Sequence, residues 1–341
     1  MKAWVTMGYF DDRGDGTVWE LDAGDGSVRE VLHFDPPPAL AVPSKGFTGA
    51  SWVVTDRGRD LLVCGAAAVF RFDGRSMAES GVLALPSFND LHGVTATRDR
   101  IYVVNTGMDC IDVFDHDGRF VGTHGFDAAW MAAHRLRGET PARAEWLGLH
   151  ARGWSGGPTE FRAVDDEDRY YRVDMQEPYH RRQQRDYVHP NHVQIVDGRV
   201  LVTSLVRCGV VDVGNWHQVV SVQSPPHDGI AADDGYYVTR VDGYVEVCDI
   251  GRPGDRPRVI DVSTLAGMTG WCRGLMVTPD ALWVGFTEIR AKPGHVWDRG
   301  PFDATETAVV VLDRATGEVI RKFSLASGQR HGKVFAILEA A

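Results

Sequence analysis

The sequence predicts an all-β fold, a six-bladed β-propeller, and three observations carry the prediction. Composition is the first: 341 residues with 38 glycines, 43% hydrophobic and 24% charged residues suit many short strands joined by tight turns. A four-strand repeat is the second, clearest from His92 as HGVTATRD, RIYVVNTG, CIDVFDHDG and RFVGTHG. The third lies in the chain ends, which supply three strands at one end and one at the other.

Each blade reads as four short apolar runs punctuated by Asp, Asn and Gly. A second copy runs NHVQIVDG, RVLVTSLV, CGVVDVG and QVVSVQS from Asn191, and a third runs HDGIAADDG, YYVTRVDG, YVEVCDI and RVIDVST from His227. Residues 44–90 and 271–325 give two looser blades. The opening strands AWVTMGYF, GTVWELDA and SVREVLHF lack a partner, and HGKVFAILEA at the C-terminus provides it. Joining them makes the sixth blade and protects the open strand edges at the seam of the ring. The expectation is a single domain over 1–341 with two insertions: a partly helical one at 127–188 capping the channel mouth, and a second at 291–306.

The formal charge of −11 excludes a non-specific nucleic-acid binder, because counterion release needs clustered Lys and Arg. Five widely spaced cysteines without a CxxC pair predict reduced thiols and a cytoplasmic protein, and the N-terminus has no signal-peptide pattern. No window is apolar enough to predict a membrane helix, and glycine-rich stretches show no phosphate-loop spacing, so no nucleotide cofactor is expected.

Four histidines stand at or just before the first strand of a blade: His92, His192, His227 and His331. In a propeller the innermost strands surround the axis, so equal register predicts convergence on it. Imidazole nitrogens suit a transition-metal ion, with Fe, Cu or Zn ahead of Mn, and open coordination positions would make the centre catalytic. His189 competes with His192 for the fourth-blade position and otherwise faces the rim or a substrate. Arg273 occupies the same register in Trp271-Cys272-Arg273-Gly274. Its guanidinium predicts a clamp for a small anionic substrate, or else a salt bridge to Asp228 or Glu288. Tyr179, in the aromatic and charged tail of the first insertion, is a candidate for acid–base work with Arg273 and His189.

The stretch His92-Gly93-Val94, Tyr102-Val103-Val104-Asn105-Thr106-Gly107, Ile111-Asp112-Val113-Phe114-Asp115 and Asp117-Gly118 resembles an NHL-type propeller repeat. The match covers residues 92–118, and the other blades follow it in outline. The resemblance implies a propeller fold. The axial histidine pattern is similar in logic to the peptide amidating lyase family, which places a catalytic zinc on the propeller axis. Together these give two expectations. One is a mononuclear metalloenzyme, of oxygenase, lyase or hydrolase type, with a four-histidine centre. The other is an NHL-like protein-interaction propeller without catalytic activity. A sugar-lactone hydrolase of the calcium type would instead present Glu, Asp and Asn at the ring.

Overall fold

The computed structural model describes residues 1–56, 58–85, 88–125, 188–215, 217–252, 254–288, 305–325 and 330–340. The first blade comprises β1 (Lys2–Tyr9), β2 (Gly16–Asp22) and β3 (Val28–Phe34). The second holds β4 (Gly49–Thr55), β5 (Gly58–Cys64), β6 (Val69–Asp73) and β7 (Glu79–Leu83). In the third are β8 (Leu91–Ala96), β9 (Ile101–Asn105), β10 (Cys110–Phe114) and β11 (Phe120–His124). The fourth has β12 (Pro190–Val196), β13 (Arg199–Ser204), β14 (Gly209–Asp212) and β15 (His217–Ser221). The fifth has β16 (Pro226–Ala232), β17 (Gly235–Arg240), β18 (Tyr244–Cys248) and β19 (Arg258–Asp261), followed by the short helix α1 (Val262–Ala266). The sixth has β20 (Trp271–Val277), β21 (Ala281–Thr287), β22 (Ala308–Asp313) and β23 (Val319–Ser324).

Strand β24 (Gly332–Glu339) pairs antiparallel with β1 and becomes the innermost strand of the first blade. The six antiparallel sheets therefore close as the terminal strands predict. Side chains alternate across each sheet, so each interblade layer is filled from two neighbouring blades. Between the sixth and first blades lie Trp283, Val309, Val311, Phe323, Ala3, Val5, Leu21 and Ile337. Each large apolar side chain buried in this way stabilises by about 1.5–3 kcal/mol. The next junction is sealed by aromatic rings: Phe34 stands 4.8 Å from Phe70 and 5.2 Å from Phe72, and Trp4 stands 5.0 Å from Trp52.

The innermost strands β24, β4, β8, β12, β16 and β20 all start on one face, here called the entry face. Polar side chains on this side bind each blade to the next. Thr48, Thr106, Thr203 and Thr307 donate at 2.6–2.7 Å to the carbonyls of Leu91, Pro190, His227 and Gly332. Such bonds satisfy backbone groups that the ladder leaves open at the strand starts. The chain leaves the described structure at the end of β11 and returns just before β12, both on the entry face. The insertion expected at 127–188, with Tyr179, lies outside the described residues except for Val188, and so does most of the one expected at 291–306.

Candidate functional site

The axial side chains are set by β-bulges, in which extra residues on one strand oppose fewer on its partner. On β8 the residue between the pairs Leu91–Asn105 and Gly93–Val104 is His92. On β12 the extra residue is Asn191, since Pro190 pairs with Ser204 and His192 already pairs with Thr203. On β16 the pair His227–Asp228 opposes Thr239 alone, and on β20 Arg273–Gly274 opposes Gly285. Gly274 has φ +75°, and a Cβ there would stand 3.1 Å from both Val334 and Ile337. The bulge position thus carries His92, Asn191, His227 and Arg273 in four consecutive blades.

This arrangement corrects the four-histidine expectation. A one-residue displacement sends a side chain to the opposite face of a strand. Asn191 occupies the place expected of His192, whose ring stands close to the backbone of Gly229. His331 precedes β24 rather than opening it; its side chain is 40% exposed, with Nδ1 3.0 Å from Glu288 Oε2. Nitrogens bound to one zinc-like ion stand at most about 4.2 Å apart. Among the described residues, no three of the four histidines bring ring nitrogens within 4.8 Å of one another. The four-histidine metal centre, and the metal-dependent enzyme built on it, are therefore not what this chain forms.

What the histidines do instead is join blades. His92 Nδ1 lies 2.8 Å from Asn191 Oδ1, and the Asn191 amide donates to the Pro226 carbonyl at 3.0 Å. That donation fixes the amide orientation, so His92 Nδ1–H is the donor. Asp228 Oδ2 accepts from His227 Nδ1 at 2.9 Å and from Gly274 N at 2.7 Å, which ties the fifth blade to the sixth. Burial pushes His92 down to about 4, against the pull of Asp90, whose Oδ2 is 3.6 Å from Nε2. His192 and His227 are lowered by burial in the same way, although Asp228 opposes it. All three are neutral at pH 7. Burial raises the Asp228 carboxyl, but His227, His192 and the Gly274 N–H outweigh it and hold the group below its ordinary value.

His189 is the histidine that joins His92 and His227 beside the axis. Its ring centroid is 5.5 Å from that of His92, and His92 lies 6.0 Å from His227 with near-parallel planes. The backbone at His189 is left-handed, φ +49°, and Asp109 Oδ1 holds it by accepting from Val188 N at 3.1 Å and His189 N at 2.8 Å. Arg273 stacks its guanidinium 3.8 Å from the Trp271 ring and 4.9 Å from Phe335, which also lies against His227. The acids considered as its partners have other bonds, Asp228 to His227 and Glu288 to His331.

Cationic groups missed in the sequence complete the ring. Lys333, the second residue of β24, is 6% exposed; its ammonium donates to the Ser44 carbonyl and sits 3.9 Å over the Phe10 ring. Burial, then the charges of Lys45 and Arg273, hold its pKa well below the ordinary lysine value. Lys45 pairs at 2.5 Å with the buried Asp90. Two buried imidazole nitrogens, His227 Nε2 and His192 Nδ1, have no hydrogen-bond partner among the described residues. In His331-Gly332-Lys333-Val334 the lysine stands inside the strand and the histidine outside it.

A different group has metal-compatible spacing. Donor atoms of Asp15, His33 and Asp35 lie within 4.8 Å of one another at the outer part of the first blade, so the trio is able to hold a metal ion. Asp15 is already paired with Arg330 through both oxygens, and that cation opposes a second one. Cys272 is buried in the layer between the fifth and sixth blades, where burial pushes its thiol well above the ordinary value. It is not a reactive nucleophile.

No family model matches the chain, and no curated protein matches it. Solved structures do. A chain from the crystal structure of a nidogen/laminin complex aligns with a TM-score of 0.57 at 10% identity, over 100% of this chain and 99% of that one. A Bacteroides caccae protein of unknown function aligns with a TM-score of 0.57 at 12% identity, over 99% and 98%. At such identities the likeness is one of fold, and the class defined here is a six-bladed β-propeller with a polar, partly cationic axial ring. Among the described residues no helix is long and apolar enough to cross a membrane.

Proposed function

We propose that this chain is a non-catalytic interaction propeller that receives a partner on its entry face. The observation carrying the reading is the imbalance beside the axis on that face. Among the described residues, the buried Lys333 has no carboxylate within ion-pair reach, and the buried His227 Nε2 has no hydrogen-bond partner. Buried polar groups are ordinarily satisfied, so such a set on a rigid scaffold favours a site completed from outside. The NHL-like pattern over residues 92–118 agrees with an interaction role. Five free cysteines, with Cys64 and Cys272 fully buried, support placing the protein in a reducing compartment such as the cytoplasm.

Site-specific photocrosslinking tests the proposal. Photoreactive residues replace Phe10 and Val206, 49% and 47% exposed on the entry face, or Val54, 75% exposed on the opposite face. After irradiation in cells, adducts with one macromolecular partner are expected from the first two positions and not from Val54. Equal adducts from both faces, or none from the entry face, would contradict the reading.

A further inference from the structure

The trio of Asp15, His33 and Asp35 is built around one imidazole. Asp15 stands just before β2, His33 near the end of β3 and Asp35 just beyond it, so two paired strands of the first blade bring them together. His33 Nε2 is 3.1 Å from Asp15 Oδ2 and 3.8 Å from Asp35 Oδ1. Nitrogen and oxygen donors that share a zinc-like ion, each about 2.0–2.2 Å from it, stand about 3–4.2 Å apart. Both separations fall in that range.

Glu30, three residues before His33 on β3, places Oε1 3.8 Å from the other ring nitrogen, Nδ1. Carboxylates therefore face both nitrogens. With Nδ1–H directed to Glu30, the Nε2 lone pair faces the two aspartates, the arrangement in which an acid behind a histidine orients it toward a metal. Two acceptors facing each other across 3.1 Å repel unless a cation lies between them.

Local charge favours the same outcome. Arg330 bonds both oxygens of Asp15 and one of Asp11, and by itself it opposes a second cation. Yet four carboxylates, those of Asp11, Asp15, Glu30 and Asp35, gather around that one guanidinium and His33, leaving an excess of negative charge. Burial raises the Asp15 carboxyl, but Arg330 outweighs it and holds the group below its ordinary value, so it is ionised at neutral pH. Each of its oxygens retains a lone pair after accepting one guanidinium N–H. His33 and Asp35 are 43% and 83% exposed, which gives an ion access from solvent and leaves its remaining positions to water. One imidazole with two carboxylates suits zinc and its neighbours, whereas magnesium and calcium prefer oxygen donors alone.

We propose that Asp15, His33 and Asp35 bind a divalent transition-metal ion of the zinc type, with Glu30 orienting His33, as a clasp beside the ring closure. Asp15 also holds Arg330, two residues before β24, so the ion ties β2 and β3 to the strand that closes the propeller. This site is independent of the entry-face reading.

Calorimetric titration of the full chain, freed of metal by a chelator, tests it with zinc chloride and magnesium chloride. Wild type is expected to bind zinc, and His33→Gln to weaken that binding roughly tenfold or more. Asp35→Asn is expected to weaken it less. Zinc at roughly a hundredfold its dissociation constant should raise the melting temperature of wild type by about 4 °C and leave that of His33→Gln unmoved. Both substituted side chains are exposed, so the metal-free variants should melt with wild type. His217→Gln removes an exposed imidazole on β15 and should keep wild-type zinc binding. Unchanged zinc affinity in folded His33→Gln, or no saturable zinc binding up to about 1 mM, overturns the site. Equal affinity for magnesium overturns the transition-metal class. Zinc binding without any rise in melting temperature overturns the clasp.

Discussion

Replacing Asp228 by alanine is expected to loosen the junction between the fifth and sixth blades. The carboxylate is buried, and one oxygen receives both His227 Nδ1–H at 2.9 Å and Gly274 N–H at 2.7 Å. Hydrogen bonds to a charged group contribute about 1.5–3 kcal/mol each, and removal leaves two buried donors unsatisfied. A loss of about 3–5 kcal/mol follows, in the range for breaking a buried charged pair. With an unfolding entropy of about 2.1 cal/mol/K per residue, 341 residues convert this into a fall of about 4–7 °C in melting temperature. Asp228→Asn keeps an oxygen at the same place and loses only the charge, so about half that fall is expected. Thermal unfolding followed by far-ultraviolet circular dichroism at pH 7.5 measures both variants. A fall below 1 °C for alanine would show that the carboxylate does not hold the blades together, and an asparagine variant as unstable as alanine would refute the hydrogen-bond argument.

Acid should weaken the wild-type protein as the pH falls below about 6.5. His92 is held down to about 4 by burial, against about 6.5 in an unfolded chain, so the unfolded state takes up the proton first. Its contribution is fully present above pH 6.5 and is lost as the pH falls toward 4, amounting to about 2 kcal/mol at pH 5. His92→Gln should reduce the difference in melting temperature between pH 7.5 and pH 5, and an undiminished difference would count against it. Lys333→Met should raise the melting temperature at pH 7.5 or leave it unchanged, as scanning fluorimetry will read, whereas a clear fall would mean that the ammonium is compensated. Asp109→Ala removes the acceptor that holds Val188 and His189 at the start of β12, and should speed amide exchange at those two positions more than in β13.

The blade pattern was legible because strand length, turn residues and alternation repeat along the chain. The closure was legible too, since HGKVFAILEA has no partner near it in sequence and the first three strands need one. The axial chemistry was less so. A β-bulge adds a residue without disturbing the visible alternation, and it falls at His92 on β8 but at Asn191 on β12. Spacing alone therefore aligned His192 with His92 when its neighbour takes that place. His331 was misplaced for a related reason: the strand begins one residue later, and the innermost polar side chain is Lys333. Asp228 gave no sequence signal beyond standing next to a histidine, because its role depends on the backbone of Gly274, 46 residues away.

The central claim is that the axial histidines are neutral hydrogen-bonding groups of an interaction scaffold. Nitrogen-15 spectra of selectively labelled imidazoles at pH 7, recorded before and after one equivalent of zinc, test it most directly. The account predicts His227 as the Nδ1–H tautomer and His92 as neutral, with both sets of signals unmoved by the metal. Joint shifts of His92, His192, His227 and His331 on stoichiometric zinc would contradict it.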